Sequence, residues 1–282
     1  MKRKWTYLLA ALALGILAVS TAGCQKLRAR DQLNRGVQAF KNAKYPQAVE
    51  FFKSAVELDP TFPTARLYLA TAYMSQYVPG VPDEDNAKMA QAAKENFLKV
   101  LEQDPKNGVA LASMASLNFT EAQGVKDLDQ KVKKLEESQD WYQRLAVADP
   151  KNKEAFYSLG VIAWTKAYAA LGSAKAAIGQ RPEDPVPIKD KKIREDLRAN
   201  YWNIIVDGIK NLETSLEIDP HYDDAMAYLN LLYRQKADLA DNADDYRKDT
   251  AAADEWLQKA LDTRKAKASG GMAAANPTEP AK

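Results

Sequence analysis

The sequence predicts an all-α fold built from helical hairpins that follow one another along the chain. Asp-Pro pairs recur with 45, 45 and 70 residues from one proline to the next. Each pair lies between two stretches of helical apolar periodicity, and proline ends a helix because it lacks the backbone donor. A recurring two-helix unit predicts a right-handed solenoid of about five hairpins, with one face free for binding. The four pairs are Asp59-Pro60, Asp104-Pro105, Asp149-Pro150 and Asp219-Pro220.

The first hairpin, over residues 29–60, is the shortest and shows the repeating pattern most clearly. Gly36 and Ala48 are small where two helices of a hairpin must cross closely, and Phe52 and Ala55 share one apolar stripe. The spacing of these residues resembles the tetratricopeptide repeat (TPR) consensus, and the later Asp-Pro pairs align four further units to the same frame. The resemblance implies a TPR solenoid over residues 29–264. It is carried by Gly36, Tyr45, Ala48, Phe52, Ala55 and Pro60.

The units are longer than the TPR repeat of about 34 residues, and the extra residues are predicted between the two helices of each hairpin. In the second unit, residues 77–82 predict a turn that leads into a helix start at Asp83. In the fourth unit, helices are predicted over about 153–178 and 190–217. At 1.5 Å per residue each would be roughly 40 Å long. We expect this extended fourth hairpin to project from the solenoid.

The two ends of the chain differ from the repeats. Residues 1–23 begin with three cations and continue with an apolar stretch that is too short to span a bilayer as a helix, which predicts a signal peptide. The segment ending at Cys24 resembles a bacterial lipobox, which implies lipid on that thiol and a lipid-anchored linker over 24–28. The alternative to lipid attachment is ordinary cleavage of the signal peptide after Ala22, which would leave a free secreted protein. Residues 265–282 lack an apolar stripe and predict a disordered tail.

Charge and residue types argue against nucleic-acid binding and catalysis. Without the signal peptide, Lys and Arg fall from 40 to 37 against 38 Asp and Glu, so the net charge changes from +2 to −1. The charges are mixed, with no basic stripe for nucleic acid. His221 is the only histidine, Cys24 is the only cysteine, and no phosphate or dinucleotide motif is present. We therefore predict a non-enzyme with no metal site, no cofactor and no small-molecule substrate, although carboxylate-only catalysis is not excluded by counting residues.

Function is predicted from the face that TPR proteins use for binding. The resemblance implies that the first helix of each repeat lines a concave groove, and here that groove would be apolar and aromatic. Such a lining suits an amphipathic helix or an extended apolar segment of another protein. The alternative is that these side chains are core, or are covered by the protein's own hairpins. The predicted groove residues are Leu33, Val37, Phe40, Leu67, Met74, Phe119, Tyr157 and Trp164, with Val161, Leu231 and Arg234 beside them.

These features predict two functions. The first is a membrane-anchored adaptor that binds other envelope proteins or peptides through the groove. The second is a structural lipoprotein subunit of an envelope machine, such as an outer-membrane β-barrel assembly complex or a type IV pilus apparatus. Gln25 follows Cys24 where an inner-membrane lipoprotein would carry aspartate. The expected location is therefore the outer membrane, with the protein facing the periplasm.

Overall fold

The computed structural model describes residues 23–181 and 184–274, and of residues 270–274 the backbone alone. These residues form ten α-helices and no strand, which confirms the all-α prediction for this part of the chain. The predicted signal peptide, apart from residue 23, and the end of the predicted tail, residues 275–282, lie outside the described residues. The helices are α1 (23–41), α2 (Tyr45–Leu58), α3 (Pro63–Met74), α4 (Glu84–Gln103), α5 (Gly108–Gly124), α6 (Leu128–Ala148), α7 (Lys153–Ala177), α8 (Lys191–Ile218), α9 (Asp223–Asp238) and α10 (Ala243–Ala274).

The chain forms two compact units that divide between Asp127 and Leu128. Helices α1 to α5 belong to the first unit, and α6 to α10 belong to the second. The division falls between α5 and α6, the two helices that the Asp-Pro spacing assigns to the third hairpin.

All four Asp-Pro pairs form the same turn after a helix. The aspartate backbone N–H donates the last helical hydrogen bond, to the carbonyl four residues earlier, and the aspartate carbonyl accepts from the residue three positions later. The carboxylate accepts the backbone N–H two residues later, as aspartate commonly does in turns. The donors are Thr61, Lys106, Lys151 and His221, at 3.1, 3.3, 3.2 and 3.0 Å. The single histidine thus contributes its backbone N–H to a turn.

One hydrophobic core of the first unit lies among α1, α2 and α3, and Phe52 of α2 is completely buried in it. A Cβ on Gly36 would lie 2.4 Å from the Phe52 ring, so glycine is required for α1 to approach α2 this closely. Tyr68 of α3 stacks on Phe52, with ring centroids 5.4 Å apart. The predicted turn before α4 is closed by Asn86, whose amide bonds the backbone of Val78 and Val81.

The second unit contains the long fourth hairpin, and both of its helices end within one residue of the predicted bounds. Helix α7 has 25 residues and α8 has 28. Two glycines allow the helices to cross closely. A Cβ on Gly160 would lie 2.4 Å from Leu212, and a Cβ on Gly208 would lie 2.5 Å from the Ala163 methyl group.

The prediction that this hairpin projects is wrong, because the end of α9 covers its loop. The backbone N–H of Ile188, in the loop, donates to the carbonyl of Asp238 at 3.0 Å. Arg198 donates to the carbonyl of Leu239 at 3.0 Å. The side chains of Ile188 and Leu239 are both fully buried. The added length of the hairpin is therefore packed inside the second unit.

Two segment boundaries also differ from the predictions. Residues 24–28, predicted as a linker, lie in α1. Helix α10 continues to Ala274, into the predicted tail. It is held to the start of α9 by Arg264 and Lys267, which pair with Asp223 at 2.6 and 2.5 Å. Among the described helices, none is long and apolar enough to cross a membrane.

Candidate binding site

A cavity of about 240 Å³ lies between α7 and α9 in the second unit. Trp164, Tyr168 and Leu171 project into it from α7, where spacings of four and three residues place side chains on one helical face. Helix α9 contributes the opposite wall. The cavity, called the α7–α9 groove below, is lined by Trp164, Tyr168, Leu171, Gly172, Lys175, Leu231, Arg234, Gln235 and Asp238.

A row of aromatic rings runs along this face and ends in the groove. Tyr157 contacts Tyr222 and Tyr228, with ring centroids 5.0 and 5.6 Å apart. Tyr228 contacts Trp164 edge to face at 5.6 Å, and Trp164 contacts Tyr168 at 4.8 Å. The first four rings are partly buried, whereas Tyr168 is 61% exposed. The row therefore supports one exposed aromatic side chain at the mouth of the groove.

A buried ion pair lies at the polar end of the groove. Lys175 Nζ lies 2.5 Å from Asp238 Oδ1, and the two side chains are only 8% and 16% exposed. Burial raises the pKa of the Asp238 carboxyl above its ordinary value, while the bond from Lys175 opposes that rise. The pair joins the end of α7 to the end of α9, and both residues line the groove.

Gln235 gives the groove an unsatisfied hydrogen-bond acceptor. Its side chain is 6% exposed, and its Nε2 donates to the carbonyl of Trp164 at 3.1 Å. Its Oε1 is buried, and no group in the part of the chain that the structure describes donates to it. An acceptor left in this state costs about 1–3 kcal/mol, and most buried polar atoms in proteins have a partner. A bound group with an N–H donor would satisfy Gln235.

The structure brings together only part of the predicted groove. Trp164, Leu231 and Arg234 line the cavity, and Tyr157 lies two rings away from it. Val161 is 9% exposed and does not line it.

The other six predicted groove residues lie in the first unit. Leu33, which is 9% exposed, belongs to that unit's hydrophobic core, so it is core rather than binding surface. Val37 and Phe40 are half-buried against the same core. Val37 also lines a separate cavity of about 630 Å³ between α1 and α2. Leu67, Met74 and Phe119 are half-buried.

Sequence reasoning missed six residues that line the groove: Tyr168, Leu171, Gly172, Lys175, Gln235 and Asp238. Tyr168 and Lys175 follow Trp164 by four and eleven residues, so helical periodicity could have placed them on its face. Gln235 and Asp238 carried no comparable signal, because polar residues on a helix are usually solvated. No group of His, Cys, Asp and Glu side chains within the described ranges is arranged to hold a metal ion.

Comparison with known proteins identifies the fold. No family model matches the chain, and no curated protein matches it. Two crystal structures of MamA are similar, at 16% and 17% identity and TM-scores of 0.54 and 0.52. The alignments cover 86% and 83% of this chain and 94% and 96% of the solved chains. MamA 41-end from Desulfovibrio magneticus RS-1 matches at 15% identity over 85% of this chain and 96% of its own, with a TM-score of 0.51. These neighbours are TPR proteins, and at such identities the likeness concerns the fold. The chain has the fold of the tetratricopeptide-repeat proteins.

Proposed function

We propose that this TPR-fold protein is a membrane-anchored adaptor that binds segments of other envelope proteins through the α7–α9 groove. The observation that carries the proposal is the combination of an exposed aromatic side chain, Tyr168, with a buried acceptor that lacks a donor, Gln235 Oε1. The first offers apolar contact area, and the second would accept a hydrogen bond from an N–H group of the bound partner once the amide turns toward the groove.

The size of the groove defines what part of a partner enters it. A cavity of about 240 Å³ lies below the roughly 300–1,000 Å³ of sites for drug-sized ligands. It suits one large apolar or aromatic side chain, packed on Trp164, Tyr168 and Leu231. The backbone N–H beside that side chain would reach Gln235. We therefore propose an extended or helical peptide segment with one apolar anchor as the ligand.

Replacing Tyr168 with alanine is expected to weaken partner capture at least tenfold and to leave the fold unchanged. Aromatic anchors in binding sites often lose about 2 kcal/mol or more on truncation, and the exposed ring of Tyr168 contributes little to the core. Capture is measured by photo-crosslinking in cells from a benzophenone amino acid at position 172. Gly172 lines the groove, and a Cβ there would have no atom within 4 Å, so a side chain can begin at this position without a clash at Cβ.

Leu261→Ala is the matched control, because Leu261 is 51% exposed in α10 of the same unit. Equal adduct yields from Tyr168→Ala, Leu261→Ala and the unchanged protein would reject the groove as a binding site. Trp164→Ala is also expected to lower capture tenfold. Because Trp164 packs against the core of the second unit, circular dichroism must show that this variant is folded. Its unfolding would indicate that Trp164 serves as core.

Membrane anchoring through Cys24 is tested by removing the thiol. Cys24 is exposed and free at the start of the described part of the chain, which leaves it accessible for acylation. More than one acyl chain is needed for a stable anchor, at about 0.8 kcal/mol per buried CH₂. Cys24→Ala is therefore expected to lose labelling by a palmitate analogue and to leave the membrane fraction. Membrane binding without labelling in both forms would show that the anchor is not a lipid.

A further inference from the structure

Positive charge is concentrated at the start of the chain that follows the predicted signal peptide. Residues 24–44 contain six Lys and Arg residues against one carboxylate, Asp31. Residues 45–282 contain 31 Lys and Arg residues against 37 Asp and Glu. The protein is therefore divided into a short basic segment and a long acidic one.

The cations of this segment are free to meet a partner. Lys26, Arg28 and Arg30 are exposed in α1, and none of them forms an ion pair within the described residues. Cations elsewhere are often paired, as Lys175 is with Asp238 and Arg264 is with Asp223. The three unpaired cations are called the basic collar below.

The collar presents cations on two sides of the helix. Successive helical residues turn by roughly 100°, so Lys26 and Arg30, four residues apart, share one face of α1, and Arg28 projects from the opposite side. Residues 23–28 are all exposed, and Ala29 is the first buried residue of the helix. Anionic groups can thus approach this end of α1 from two opposite sides. A layer of headgroups around the helix can meet all three cations, whereas a single small ligand would meet Arg28 alone or Lys26 and Arg30.

The position of the collar in the chain places it close to a membrane. Lys26 is two residues from Cys24, the thiol proposed to carry lipid, and two residues span at most about 7 Å when fully extended. The inference rests on the proposed membrane anchoring through Cys24. Basic residues next to a membrane attachment are attracted to anionic lipid surfaces within about one Debye length, which is roughly 10 Å at 0.1 M salt.

We propose that the basic collar of Lys26, Arg28 and Arg30 binds the headgroups of anionic phospholipids, such as phosphatidylglycerol. The acidic remainder of the chain is repelled by the same headgroups. The anchor supplies the attachment, and the collar supplies a preference for anionic lipid and an orientation of α1 relative to the surface.

The test counts lipids bound to the full chain after purification from membranes in a neutral detergent. Phosphatidylglycerol and phosphatidylcholine of equal acyl length are titrated separately, and bound lipids are counted by native mass spectrometry. We expect phosphatidylglycerol to bind at least tenfold more tightly, and its binding to weaken as salt is raised. Lys26→Glu/Arg28→Glu/Arg30→Glu is expected to lose this preference. Lys99→Glu/Lys106→Glu/Lys133→Glu, with the same change of charge at exposed positions, is expected to keep it.

Equal binding of the two lipids, or equal losses in the two triple variants, would overturn the proposal. Displacement of phosphatidylglycerol by millimolar glycerol phosphate, or equally tight binding of polyglutamate or duplex DNA, would also overturn it, because the collar would then be a general anion site. The mass of the same ions shows whether Cys24 is acylated. Failure of the lipid anchor and failure of the collar are therefore separate results.

Discussion

Replacing Lys175 with methionine is expected to lower the free energy of unfolding of the second unit by about 3–5 kcal/mol at neutral pH. The substitution keeps the length of the side chain and removes its charge. Asp238, whose side chain is 16% exposed, would then remain ionised at the end of the groove without its partner. All tryptophans of the described chain lie in this unit, at positions 141, 164, 202 and 256, so their fluorescence follows its denaturation.

The loss of stability in Lys175→Met is expected to depend on pH. Burial already raises the pKa of Asp238 above its ordinary value of 3.8, and without the opposing bond from Lys175 the pKa rises further. The unfolded chain then releases this proton at lower pH than the folded chain does, so stability falls as pH rises between the two pKa values. The difference between Lys175→Met and the unchanged protein should be largest at pH 7 and shrink towards pH 4.

The double variant Lys175→Met/Asp238→Leu is the control for this effect. Replacing both partners of a buried ion pair with apolar residues is often neutral, whereas removing one partner is costly. We expect the double variant to regain most of the lost stability. Its free energy of unfolding should no longer carry the pH dependence that comes from the Asp238 carboxyl. A loss that is the same at pH 4 and pH 7, or a double variant no better than the single one, would contradict this account.

Replacing Phe52 with alanine is expected to destabilise the first unit by about 3–5 kcal/mol. Phe52 is fully buried, stacks on Tyr68 and fills the space that Gly36 leaves open, so truncation creates a cavity between three helices. Hydrogen exchange measured by mass spectrometry on peptides from α1 to α3 reports the loss locally. Phe51, the neighbouring residue, is the matched control, because it is half-buried and lies under the Arg35 guanidinium.

Phe51→Ala is expected to cost about 1 kcal/mol, mainly through the lost cation–π contact and partial burial. The contrast between adjacent phenylalanines separates burial in the core from the general effect of removing an aromatic ring. Similar losses of protection in the two variants would show that Phe52 is not the centre of this core.

Much of the fold was predictable because its signals are local. The Asp-Pro turns and the apolar periodicity located the helices, and the bounds of α7 and α8 were correct within one residue. The path of the long hairpin was not predictable. Whether its loop projects or is covered depends on Asp238 and Leu239, which are far from Ile188 in sequence and contact it only after α9 has packed.

The candidate site was predictable only where it is apolar. Trp164 and Leu231 follow the period of their helices, so they could be placed on an inward face. Lys175 and Asp238 are 63 residues apart, and each alone resembles a solvated surface residue. Their burial follows from pairing across two helices, which a single sequence does not show. Leu33 was misplaced for the opposite reason, because apolar periodicity does not distinguish a core face from a binding face.

The identical Asp-Pro turns have a consequence for how such a chain can change length. Each joint needs only an aspartate at the end of one helix, a proline after it, and a backbone N–H one residue later. Deleting residues 60–104 in a gene would join Asp59 to Pro105 and recreate the same joint, with Lys106 supplying the N–H. Any two segments between turns can thus be joined through the same Asp-Pro turn. Recombination or engineering can add or remove a hairpin with no new linker, and success then depends only on whether the neighbouring helical faces fit.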